Sequence, residues 1–167
     1  WTSLHAQVLE VTNAPPITPQ NLITNIFLGD GVQVLNVNYE GPGAAVGFFK
    51  NGQTAVSMER GLVMTTGRAV TQGLNLGVAE TGTQQASVDN MSNVMDVDMD
   101  AIAGGVPIHN VARYTITFIP IADTLRFRYA FASEEYPEFV CSEFNDIFGF
   151  FISGPGINGP YQNNAIN

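Results

Sequence analysis

The sequence predicts a mostly β domain: a β-sandwich of jelly-roll type with one or two short inserted helices. Three observations predict it. Segments at Gln33–Tyr39, Arg113–Pro120 and Leu125–Phe131 alternate with a two-residue period, which gathers apolar side chains on one face of a strand. Turn formers are dense, with 17 glycines and 9 prolines in 167 residues, so most segments between them are of strand rather than helix length. No amphipathic helix of about 10 to 15 residues separates successive strands, which argues against a parallel βαβ arrangement.

The elements follow in order. Residues 1–17 form an N-terminal segment with no assignment, because Leu4, Val8 and Val11 sit at helical spacing while Val8, Glu10 and Thr12 also fit a strand. Residues 18–167 form the domain. Thr18 offers a hydroxyl cap and Pro19 the first helical position. Leu22, Ile23, Ile26 and Phe27 then make a short amphipathic helix that Gly29-Asp30-Gly31 ends. Leu35, Val37 and Tyr39 mark one face of the strand at 33–39. Glu40 to Gly43 turns the chain into the compact apolar run Ala44–Phe49, and Asn51-Gly52 makes a hairpin-like turn before a strand at Leu62–Thr66.

Residues 69–92 are polar and small, a long loop suited to recognition or to plain solvation. Asn90-Met91-Ser92 within it matches a glycosylation sequon. Residues 93–103 predict a short helix, capped around Ser92 or Asn93 and stopped by Gly104-Gly105. It carries Met95, Met99 and Ile102 on one face and Asp96 and Asp100 on another. The strand at 113–120 turns Tyr114, Ile116 and Phe118 inward. Leu125, Phe127, Tyr129 and Phe131 line one face of the next strand. Ile147–Ile152 is apolar on both faces and predicts a central strand between two layers, with Gly149 admitting a close neighbour. Pro137 shapes the long loop between these last two strands.

Charge limits the partners. A net charge of -9 with six scattered basic residues offers no patch for a nucleic-acid backbone. No run of 18 apolar residues is present, so no membrane-spanning segment is expected. Cys141 is the sole cysteine, which excludes an internal disulfide framework. Its apolar neighbours Phe139, Val140 and Phe144 predict burial.

Catalysis finds little support. His5 and His109 are not tied by any pattern to Ser133, Ser142 or Cys141, as a nucleophile and its base must be. Paired carboxylates for glycoside hydrolysis exist in number, but spacing along the chain does not pair them. Calcium makes better use of the acids, because it takes six to eight oxygen ligands. Asp96-x-Asp98-x-Asp100 opens like an EF loop, yet Ala101 replaces the turn glycine and Pro107 the closing glutamate. The candidate calcium ligands are therefore Glu134, Glu135, Glu138, Asn145 and Asp146. The favoured reading of these acids is solvation, or pairing with Arg126 or Arg128, with a structural cation as the alternative.

FASEEYPEFVCSEFNDIFGFFISGPGING, Phe131 to Gly159, closely resembles the signature of the choice-of-anchor L domain family of bacterial proteins. LITNIFLGDGVQVLNVNYEG, LVMTTG, DVDMDAIAG and ITFIP match its other parts, so the likeness spans nearly the whole chain. The resemblance implies a domain of secreted or surface-displayed bacterial proteins and no established catalytic residues. It also implies further strands beyond Asn167. These would follow in a longer chain, or another chain would supply them by strand complementation, as in a self-assembling filament. The expected function is a non-catalytic extracellular structural or adhesive module. The alternative is a carbohydrate-binding or carbohydrate-acting domain that engages a surface glycan through the acidic and aromatic loop 133–146.

Overall fold

A computed structural model describes residues 9–13, 17–69, 92–133, 141 and 146–167. Within them the chain forms a mixed β/α arrangement of two small antiparallel sheets with short helices. The elements are β1 (Glu10–Thr12), α1 (Pro19–Leu22), a π turn (Ile23–Phe27), β2 (Val32–Glu40), β3 (Val46–Lys50), α2 (Gln53–Val56), β4 (Arg60–Met64), α3 (Val97–Ile102) and β5 (Arg113–Pro120).

Helix α1 starts as its sequence dictates. Thr18 Oγ1 accepts the Asn21 N–H at 3.1 Å, and Pro19 occupies the first turn, where no donor is needed. Leu22 and Ile23 are fully buried. α1 touches β2 and β3, and its π-turn extension touches β4, so this helical stretch lies against both sheets.

The first sheet has the order β1-β3-β4. β1 comes from the stretch that sequence patterning left open between helix and strand, and its register sets Val11 opposite Phe49. Phe49 is the packing centre. Its ring covers the glycine opposite it, since a Cβ on Gly61 would lie 2.7 Å from Phe49 Cε1. Val11, Phe49 and Ala69 form the buried cluster, with Leu9, Val56, Met58 and Val63 packed around it. Asn51-Gly52 does not make the tight hairpin expected of it. Asn51 takes a left-handed φ of 60°, and α2 lengthens the connection between β3 and β4.

The second sheet pairs β2 with β5, from Val32 opposite Pro120 to Glu40 opposite Arg113. β5 has the bounds and the facing that alternation predicts, with Tyr114, Ile116 and Phe118 half-buried and Thr115, Thr117 and Ile119 exposed. The register slips between Val34 and Asn36, and the bulged Leu35 is 57% exposed.

The largest departure from expectation lies at 125–131 and 147–152. Among the described residues neither segment forms a hydrogen-bonded ladder, apart from the isolated antiparallel bridge of Ile152 to Ile166. They do run side by side. Phe127 stacks on Phe150 at 4.2 Å and Tyr129 on Phe148 at 5.8 Å, which is an antiparallel side-chain register without the backbone bonds. Ile147–Ile152 is not a central strand buried between two layers, because Phe148 remains 47% exposed. Gly149 does admit close neighbours: a Cβ there would lie 2.5 Å from Met99 Sδ and 2.7 Å from the Phe151 ring.

Candidate functional site

Chemistry-bearing side chains converge where α3 meets the far end of the β2–β5 sheet. α3 is capped by Asp96 rather than by Ser92 or Asn93, so Met95 falls outside the helix and is 77% exposed. One oxygen of the buried Asp96 carboxylate, Oδ1, accepts the N–H groups of Asp98 and Met99, both at 3.1 Å. The other, Oδ2, accepts from Arg113 Nη1 at 3.0 Å. Sequence patterning set Asp96 on a helical face, whereas capping is the more frequent role for an aspartate just before a short helix.

Each further aspartate of the Asp-x-Asp-x-Asp run ties down a separate stretch of backbone. Asp98 accepts the Gln162 N–H with both oxygens, at 3.1 and 3.3 Å. Asp100 Oδ1 accepts the Ile108 N–H at 3.1 Å. The three carboxylates thus serve three different partners instead of facing one ion. This gives the rejection of an EF loop a positive account.

Arg113 is the hub that sequence reading missed. Its Nε and Nη2 donate to Glu40 Oε2 at 3.0 and 2.7 Å, while Nη1 holds Asp96. Burial lowers the guanidinium's pKa, but the hydrogen bonds and charges of Glu40 and Asp96 outweigh it and raise the pKa above its ordinary value. Beside it, the Tyr39 and Tyr114 rings meet at 4.8 Å. The Tyr39 hydroxyl donates to Pro42 O at 2.7 Å and the Tyr114 hydroxyl to Pro19 O at 3.0 Å. Burial pushes Tyr39 up to about 12 and raises Tyr114 as well, with the charge of Tyr39 adding to the latter. Alternation along β5 placed Tyr114 on the inward face, and alternation along β2 set Tyr39 on one face with Leu35 and Val37; only the register could have shown that Glu40 meets Arg113.

An open groove of about 560 Å³ runs along this corner, lined by Glu40 to Pro42, Ser92 to Met95, and Arg113. Arg113 already holds two carboxylates, and no histidine or cysteine lines the groove. Among the described residues, the charged groups along the groove brace β2, β5 and the start of α3 against one another.

Of the candidate calcium ligands, Glu134, Glu135, Glu138 and Asn145 lie outside the described residues, and Asp146 is exposed. Among the described residues no group of three His, Cys, Asp or Glu side chains is placed to hold a metal ion. Arg128, considered as a partner for those acids, donates through Nη2 to Ser57 O at 2.7 Å, a carbonyl at the left-handed C-cap of α2. Cys141 is exposed, not buried as its neighbours in sequence suggested. It occupies a turn at φ 65°.

No described helix is long and apolar enough to cross a membrane. Comparison with known proteins adds one finding: the family model described as "Choice-of-anchor L domain" matches residues 10–166. No curated protein and no solved structure matches the chain.

Proposed function

The chain belongs to the choice-of-anchor L domain family, and from that premise we propose that it is a non-catalytic structural or adhesive module of a bacterial surface protein or filament. The family is characteristic of bacterial secreted and surface proteins, and the chain is accordingly extracellular or displayed at the cell surface.

The observation that carries the reading is the outward aromatic face of residues 125–131 and 147–152. Tyr129, Phe131, Phe148 and Leu125 are 67%, 56%, 47% and 41% exposed. Contiguous apolar surface of that kind marks a place another surface covers. By contrast, the charged groups Asp96, Asp98, Asp100 and Arg113 are committed to neighbours within the chain. Strand complementation between copies belongs to the same proposal, because among the described residues both sheets are short and end in strands that a further strand can extend. Light scattering of the native protein and of a Tyr129→Ser/Phe148→Ser variant tests it. Assembly that the double variant weakens supports the reading, whereas equal behaviour of both proteins rejects this face.

The same observation favours one other reading. Exposed rings also suit the apolar face of a sugar, so a surface glycan is the alternative partner. Titration with soluble glycans, followed by the fluorescence of Tyr129 and its neighbours, separates the two. Calcium at Glu134, Glu135, Glu138, Asn145 and Asp146 remains part of the proposal, on the ligand chemistry of clustered loop oxygens. Native mass spectrometry reads it as a loss of about 40 Da on chelation, the mass of one calcium ion.

A further inference from the structure

Three Asn-Gly or Asp-Gly dipeptides in this chain, the steps that close a succinimide ring most readily, are Asp30-Gly31, Asn51-Gly52 and Asn158-Gly159. In each, the main-chain nitrogen of the glycine attacks the side-chain carbonyl carbon before it. Ammonia leaves from asparagine, or water from a protonated aspartic acid. Water then opens the ring at either carbonyl, giving aspartate or isoaspartate. The reaction needs a free glycine nitrogen and room for the peptide to turn.

The fold denies both to the two asparagines. The Gly52 N–H donates to Glu59 O at 3.1 Å. Gly52 is buried, with Met58 O 2.6 Å and the Phe49 ring 2.8 Å from where a Cβ would stand. The Asn51 carboxamide also donates to Glu10 Oε1 at 3.3 Å. At the second step, the Gly159 N–H donates to Asn164 O at 2.8 Å, and the backbone of Ala165 closes over the glycine.

Asp30-Gly31 is different. Both residues are exposed in the turn before β2, and nothing lies within 4 Å of a Cβ built on Gly31. Among the described residues, no hydrogen bond or ion pair holds the Asp30 carboxylate.

We infer that covalent ageing at these three steps is confined in the folded protein to Asp30, which becomes isoaspartate, while Asn51 and Asn158 keep their amides for as long as the fold holds. The intrinsically faster asparagine steps are shut, and the slower aspartate step is open. The product adds one methylene to the main chain just before β2, beside Gly31 O, which accepts the Ile121 N–H at 3.0 Å. Ageing therefore loosens the Val32–Pro120 end of the second sheet and leaves the Glu40–Arg113 end intact.

The test is prolonged incubation of the native protein at neutral pH, alongside the same protein held in urea, followed by peptide mapping with electron-transfer fragmentation. Folded protein is expected to show isoaspartate at position 30 with no mass change at 51 or 158. Unfolded protein is expected to gain about 1 Da at both asparagines, the mark of amide loss. Gly31→Ala should suppress the product at position 30 without a loss of stability, because the site is open and carries no left-handed φ. Amide loss at Asn51 or Asn158 in the folded chain overturns the inference. So does a folded chain free of isoaspartate at position 30 when the unfolded chain forms it there.

Discussion

At the α3 corner, Arg113 answers Glu40 and Asp96, while Asp98 and Asp100 answer backbone amides at 162 and 108. Across the paired segments 125–131 and 147–152 the aromatic rings instead stack on one another, and Tyr129, Phe131 and Phe148 stay largely exposed, while Arg128 reaches back to Ser57 O. The first region is built from directional bonds that saturate, the second from non-directional surface that does not. Among the described residues, therefore, the charged groups of the α3 corner are taken up by neighbours within the chain, whereas the aromatic face, the surface of the proposed contact, is left exposed.

The widest separation between the regions should come from two arginines. Arg113→Met leaves the mostly buried Asp96 and the half-exposed Glu40 without a cation, and should cost about 2–3 kcal/mol in urea unfolding. Arg128→Met removes one exposed bond to Ser57 O and should cost about 0.5–1 kcal/mol. Equal losses would remove the distinction.

Alkaline pH acts on the first region next. In the unfolded chain the tyrosines ionise near 10, but Tyr39 in the fold does so only near 12 and Tyr114 is raised too. The folded state therefore holds protons that the unfolded state has lost. Stability should be level below pH 10 and fall as pH rises from 10 towards 12. Paired Tyr39→Phe and Tyr114→Phe substitutions should flatten that fall, read as urea midpoints against pH.

Asp96→Ala, which removes the cap and one partner of Arg113, should cost about 1–2 kcal/mol. Asp98→Ala should cost about 1 kcal/mol, with faster hydrogen exchange at the Gln162 amide as its signature. The smallest effect belongs to the aromatic face, where Tyr129→Ser should shift the stability of the isolated chain by no more than about 0.5 kcal/mol. A large loss there would mean that this face is core, and the comparison would collapse.

The sequence made some of this legible and hid the rest for identifiable reasons. β5 was readable to the residue because its alternation is strict and Pro120 ends it. α1 was readable because Thr18 and Pro19 sit where a cap and a first turn need them. β1 was ambiguous because three residues cannot carry a period; only its pairing with β3 settles it. The burial expected of Phe148 and Cys141 failed for a shared reason. Apolar composition states what a residue would gain by burial, not whether anything lies over it. Of the candidate site, the acids were visible, but Arg113 was not. Its importance comes from facing Glu40 across a sheet, 73 residues away in sequence.

That separation also bears on the order in which the chain closes. The β3–β4 pair joins neighbours and can form early, whereas β2 must wait until the whole span to β5 has been made. While the chain emerges from its N-terminus, β2 is present without its mate, a nine-residue edge open to any passing strand. The register shift at Leu35 belongs to the pairing with β5, so it forms only when β5 arrives, and until then all nine residues of the edge are open to the wrong strand.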